Sequence, residues 1–232
     1  MLRTALLLLA ALVAGFAGAA AYGWSGMGDR HVERYLMDNP DMLPRMVSAL
    51  ERQRAEQRLA SVGEDVRAPF GDAVLGNPQG SKTLVKFTDY NCGYCRASAD
   101  EVQKMIAADP DLRVVIREWP IFEGSDRAAR MALAAARQGK YRAYHLALFA
   151  GGDTSEAGLA RAAAQAGLDL AQLEKDAASS EIAFELTRNA ALAEELGFTG
   201  TPSWIAGGQI IEGAVPAKTL ADALMDDAAD AS

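Results

Sequence analysis

The chain has 232 residues, half of them apolar and 23% charged, enough for one domain with a sizeable core and some additional segments. Its net charge of −8 is spread along helical stretches, which argues against nucleic acid and against an anionic membrane surface as partners. Only two cysteines and two histidines are present, so few groups are available to build a metal centre or a nucleophilic catalyst.

Residues 1–23 read as a targeting segment. Arg3 supplies a positive charge, residues 6–13 form a dense apolar run, and Ala17-Gly18-Ala19 and Ala19-Ala20-Ala21 both fit a small-x-small cleavage pattern. A cleaved signal peptide is the favoured reading. An uncleaved anchor is the alternative, because residues 5–21 are uncharged and reach the short edge of a membrane span. Either way the rest of the chain is expected in an oxidising compartment outside the cytoplasm.

Residues 24–66 form a helical N-terminal extension, entered through a Gly/Ser-containing link at 23–28. Asn39-Pro40-Asp41 reads as a helix start, since proline is tolerated in a first turn. Leu43, Met46, Val47 and Leu50 then make one short apolar face. Leu36, Leu43 and Leu50 recur every seven residues, although Pro40 and Pro44 interrupt the heptads. The extension is either a helix lying on its own domain or a short stalk that assembles a homo-oligomer.

Residues 67–232 have a different pattern. After a turn at Gly76-Asn77-Pro78, residues 84–88 form a β-type run that leads directly into Cys92-Gly93-Tyr94-Cys95. A helix follows over about 94–107, Asp109-Pro110-Asp111 breaks it, and residues 113–117 form a second strand. Strand, Cys-x-x-Cys, helix, strand is the opening of a thioredoxin-type α/β unit. From about 125 to 196 the chain is almost entirely helical, punctuated by Gly139, Gly151-Gly152, Gly167 and Gly197, and reads as an inserted helical subdomain. Asp169 and Gln172 have capping-box spacing. Strands return at 201–206 and 209–212 around a Gly207-Gly208 turn, and a helix over 216–225 closes the chain.

The two cysteines carry the chemistry. A cysteine at a helix N-terminus meets unpaired N–H groups and the positive end of the helix dipole, which lower thiol pKa values to roughly 3.5–7.5. Cys92 is therefore expected to be the exposed attacking thiolate, and Cys95, one turn on, the resolving thiol. Zinc needs about four ligands, and beyond these cysteines the chain offers only His31 and His145, so no metal is expected. A purely structural disulfide would close too small a loop to constrain the unfolded chain. His145 shares a helical stripe with Tyr141, Tyr144 and Leu148 and reads as a packing residue. Pro202 opens a strand, where it is either an ordinary trans proline or a cis one holding a tight turn.

The run from Phe87 to Cys95 and the segment Gly200-Thr201-Pro202-Ser203 resemble the active-site strand and cis-proline loop of the DsbA-like thioredoxin-fold family. The segment Tyr35-Leu36-Met37-Asp38-Asn39-Pro40-Asp41 is similar to the leader helix of its suppressor-of-copper-sensitivity C branch, periplasmic disulfide proteins of Gram-negative bacteria. The resemblance implies a periplasmic thiol–disulfide oxidoreductase with Cys92 and Cys95 catalytic, no cofactor, and Thr201 and cis Pro202 binding substrate. It also implies exported cysteine-containing proteins as substrates and a membrane redox partner. Gly93-Tyr94 departs from the Pro-His pair of the family's strongest oxidants, leaving oxidase and isomerase both open. The alternative is a periplasmic copper-binding or chaperone module using the dithiol as a soft-metal ligand.

Overall fold

The computed structural model describes residues 2–24 and 27–230; Ser25 and Gly26, inside the expected link, lie outside them. The chain divides into two compact units, residues 1–52 and 53–232.

In the first unit, α1 (Leu2–Trp24) includes 19 residues, Leu6–Trp24, long and apolar enough to cross a membrane. α2 (Met27–Asp38) ends where the Asn39 side-chain amide donates to the Tyr35 carbonyl at 2.8 Å. Pro40 lacks an N–H and cannot continue that helix, so α3 (Met42–Val62) begins two residues later. Val32, Leu36, Leu43, Met46 and Leu50 are all exposed along these two helices.

The second unit is built on a mixed five-stranded sheet of order β1-β3-β2-β4-β5. Its strands are β1 (Val74–Gly76), β2 (Lys82–Thr88), β3 (Leu112–Glu118), β4 (Ser203–Ala206) and β5 (Gln209–Glu212). β2 and β3 are parallel and joined by α4 (Gly93–Ala108), while the other pairs are antiparallel. β1 was not expected from the sequence, because three residues are too few to display an alternation. Gly76 ends it at φ +79°, and a Cβ there would collide with the Leu112 carbonyl. At the other edge Ala206 pairs with Gln209, so Gly207-Gly208 is a two-residue hairpin turn, with Gly207 at φ +57°.

Between β3 and β4 lie α5 (Asp126–Arg137), α6 (Tyr141–Gly151), α7 (Glu156–Gln165), α8 (Leu170–Ala177) and α9 (Ser180–Glu195). Ser155, Asp169 and Ser179 cap α7, α8 and α9 by accepting the N–H three residues on. This is the helical insertion expected between the strands over about 125–196, and α10 (Ala217–Asp230) follows the hairpin.

Strand alternation sorts the sheet's side chains into two cores. Leu84, Val114, Ile116 and Trp204 join one cluster with α4, α5, α6 and α10, whereas Val85, Phe87, Val115 and Ile205 join another with Val62, Val66 and the end of α9. By the same period of two, Lys86 and Thr88 on β2 share a face with Glu118 on β3, and Thr88 sits opposite Glu118 in the register.

Candidate active site

β2 delivers the chain into a tight turn at 89–91 that is held by one carboxylate. Asp89 is 1% exposed; its Oδ1 accepts the Asn91 N–H at 2.7 Å. Its Oδ2 accepts the Ile121 N–H, the Phe122 N–H and the Ser125 hydroxyl at 2.7–3.0 Å. The Asn91 amide reaches the Glu123 carbonyl at 2.9 Å and the Thr154 hydroxyl donates to Asn91 at 2.7 Å. The loop after β3 is thereby fastened beside the turn, and it presents Ile121 and Phe122 partly to solvent.

Cys92 is the N-cap of α4, its Sγ accepting the Cys95 N–H at 3.2 Å. From the far side of β2 the Thr201–Pro202 peptide, which is cis, brings the Thr201 carbonyl to 3.2 Å from the Cys92 thiol, which donates to it. The structure thus brings together the four residues singled out in the sequence, Cys92, Cys95, Thr201 and Pro202. Both cysteines are free thiols. Cys92 differs from expectation in one respect: it is 3% exposed rather than open to solvent. The 201–202 loop and the first turn of α4 occupy the space around its sulfur, and Tyr94, 71% exposed, is the solvent-facing residue of the motif.

Cys95 is fully buried, and burial pushes its thiol up to about 11, with the Thr88 and Thr201 side chains acting in the opposite sense. Below it lies a polar cluster whose members are scattered along the sequence from Lys86 to His145. Lys86, 1% exposed, donates to the Cys95 carbonyl at 3.3 Å and lies over the rings of Phe149 and Trp204 at 5.6 and 5.2 Å. Burial lowers its ammonium to about 8 against the attraction of both thiols and Glu118. Burial raises Glu118 to about 8, although the Tyr141 and Tyr90 hydroxyls donate to its Oε1 at 2.5 and 2.8 Å.

His145 completes this cluster. Its Nδ1 lies 2.8 Å from the Tyr90 hydroxyl and 3.1 Å from that of Tyr141. With both hydroxyls donating to Glu118, Nδ1 must carry the proton and Nε2 is the bare nitrogen, in keeping with Nε2 having no partner among the described residues. Burial holds this imidazole well below its ordinary pKa, so it is neutral. His145 is buried as the stripe predicted, but it is also hydrogen-bonded. The signal available in the sequence was a lysine and a glutamate inside two apolar strand runs; only their register shows that they share a face.

A family model for the DSBA-like thioredoxin domain matches residues 83–225. The chain belongs to the DSBA-like thioredoxin domain family. Among solved structures, a thioredoxin-like oxidoreductase from Silicibacter pomeroyi DSS-3 is 45% identical at TM-score 0.67, covering 73% of this chain and 98% of that one. The catalytic domain of Proteus mirabilis ScsC is 26% identical at TM-score 0.65, covering 75% and 98%. A periplasmic thioredoxin-like protein from Salmonella enterica serovar Typhimurium is 29% identical at TM-score 0.63, covering 72% and 95%. The curated relatives are longer: the Na(+)/H(+) antiporter NhaA 1 of Mycobacterium sp. (strain KMS) is 32% identical over 165 residues, 67% of this chain but 27% of that one. The chain therefore spans about a quarter of the length of the curated relatives that it matches. As a DSBA-like domain it carries a thiol–disulfide oxidoreductase fold with two cysteines three residues apart.

Proposed function

We propose that this chain catalyses thiol–disulfide exchange in exported proteins, with Cys92 as the attacking thiol and Cys95 as the resolving thiol. The observation that carries this reading is the placement of Cys92 Sγ at the cap of α4, 3.2 Å from both the Cys95 N–H and the Thr201 carbonyl. As a thiolate, Cys92 attacks a client disulfide, forming a mixed disulfide and expelling one client thiolate. Cys95 then attacks Cys92 Sγ, closing the Cys92–Cys95 disulfide and releasing the second client thiolate. The reverse sequence oxidises a client dithiol. When Cys92 gives up its proton, the Thr201 carbonyl loses its donor and becomes available to a client backbone N–H, with Pro202 holding that loop edge. Tyr94, Ile121 and Phe122 offer apolar contact to the unfolded segments that carry client cysteines.

The N-terminal helix supports export to the periplasm, as a cleaved signal or as an anchor that leaves the remaining residues facing that compartment. A membrane redox protein would reset the dithiol. Among the described residues no group of three or more His, Cys, Asp or Glu is arranged to hold a metal ion. The exposed apolar faces of α2 and α3 favour a homo-oligomer, and with it an isomerase, because several active sites facing one misfolded client gain by avidity.

The test is reactivation of scrambled ribonuclease beside oxidation of reduced ribonuclease. Cys92→Ser should abolish both, and Cys95→Ser should accumulate mixed disulfides. Reactivation without added oxidant would mark an isomerase, and oxidation alone an oxidase. Undiminished turnover by Cys92→Ser would overturn the assignment.

A further inference from the structure

Cys92 has to reach a client sulfur, yet it is 3% exposed. Its cover is the stretch 199–202 that leads into β4. Thr201 lies over both thiols: its carbonyl accepts from Cys92 at 3.2 Å, and its side chain acts on Cys95. A sulfur packed in this way has no open line to a disulfide, so attack requires the stretch to draw back.

The attachments of the stretch decide where it can give. On one side the end of α9 is secured: the Gly197 N–H donates to the Glu194 carbonyl, the Phe198 N–H to that of Ala193, and Phe198 is buried. On the other side Ser203 and Trp204 are buried in β4, and the Gly213 N–H donates to the Pro202 carbonyl at 2.8 Å. The Ser203 hydroxyl holds the Gly200 carbonyl from the same strand at 2.7 Å. The remaining tie comes from Glu212, the last residue of β5 and the partner of Ser203 in the register. Its Oε2 accepts the Thr199 N–H at 3.0 Å and the Thr199 hydroxyl at 2.8 Å. Both residues are exposed, and at Gly200 an added Cβ would meet no atom within 4 Å, so the stretch has room to move.

We infer that residues 199–202 form a cover over Cys92 and that Glu212 is its latch, a positioning residue that sets how often the sulfur is bared. A carboxylate accepting two donors in solvent is strong enough to hold a short loop, and water can replace either bond when it opens. Release breaks the Cys92–Thr201 contact, so one event bares the sulfur and frees the carbonyl that a client backbone would use. This rests on Cys92 being the attacking thiol, and it gives that thiol a control outside its own motif.

The test is alkylation of the reduced full chain by iodoacetamide and by the bulkier N-phenylmaleimide, with the modified cysteine assigned by peptide mass spectrometry. Rates are followed across the pH range in which the thiol ionises. The limiting rate of the thiolate reports access, and the midpoint reports ionisation. Glu212→Ala, which removes the acceptor, should raise the limiting rate at Cys92 about fivefold with iodoacetamide, and further with the maleimide. Glu212→Gln loses the charge but keeps an acceptor, and should stay within about twofold of the unsubstituted chain. Thr199→Val, which removes the hydroxyl from the other half of the latch, should raise the rate by about twofold. An unchanged limiting rate in Glu212→Ala, an equal rise in the Ala and Gln variants, or a change confined to the midpoint would each overturn the inference. No client takes part, so the latch can fail while Cys92-dependent exchange on ribonuclease stands, and it can hold where that exchange is absent.

Discussion

Lys86 and Glu118 lie beneath the dithiol where water is excluded, and burial opposes the charge on each. Glu118, raised to about 8, contributes most fully below its ordinary value of 4.5, and that contribution is lost as pH rises toward 8. Lys86, lowered to about 8, runs the other way: its contribution is full above 10.5 and is lost as pH falls toward 8. His145, depressed well below 6.5, contributes fully above 6.5 and loses that contribution as pH falls from 6.5 toward the lower value. Glu118→Gln should therefore make the slope of unfolding free energy against pH more positive between about pH 5 and 8, by up to roughly 1.4 kcal/mol per pH unit. Urea titrations at several pH values measure this, and an unchanged slope would mean that Glu118 is ionised throughout.

Turns and caps deliver these residues. Asp89 satisfies four donors from the turn before Cys92 and the loop after β3, and Asp89→Ala would leave buried N–H groups unpaired. A loss of about 2–4 kcal/mol in stability is expected, together with slower client turnover, because Ile121 and Phe122 are no longer fixed beside Cys92. On the opposite face of the sheet, buried Arg117 donates to Glu185, to Asn189 and to the backbone carbonyls of Asp65, Val66 and Ala68. Arg117→Met should cost about 3–5 kcal/mol, since it removes the donor from Glu185 Oε1, from Asn189 and from three backbone carbonyls, leaving Glu185 only Arg188 at 3.4 Å. Ser179→Ala, which removes only the cap of α9, should cost about 1 kcal/mol. Chemical denaturation ranks the three, and a Ser179 effect equal to that of Arg117 would contradict the burial argument.

Across the molecule, the dithiol, the cis-proline loop and the buried cluster all lie within residues 53–232, whereas the exposed apolar helices begin in residues 1–52. Deleting residues 1–52 should leave exchange per active site within about twofold in a small dithiol assay. The same deletion should lower the mass in light scattering to that of a monomer and remove most of the activity on scrambled ribonuclease. Full activity of the truncated chain on scrambled ribonuclease would dissociate client handling from the extension.

Local chemistry was enough to read much of this from the sequence. A strand run, Cys-x-x-Cys, a helix and a second strand define a thioredoxin unit because each step has its own short-range signature. Glycine punctuation and capping residues likewise marked the helical insertion. The brief edge strand β1 carried no such signature, since its three residues are specified by pairing with β3. The depth of Cys92 and the cluster of Lys86, Tyr90, Glu118, Tyr141 and His145 depended on tertiary structure alone. These five residues span 60 positions of sequence and come from two strands, a turn and a helix, so no window along the chain contains them together. Only the parallel register of β2 and β3, with α6 closed over it, put the charges on one face and withdrew them from water.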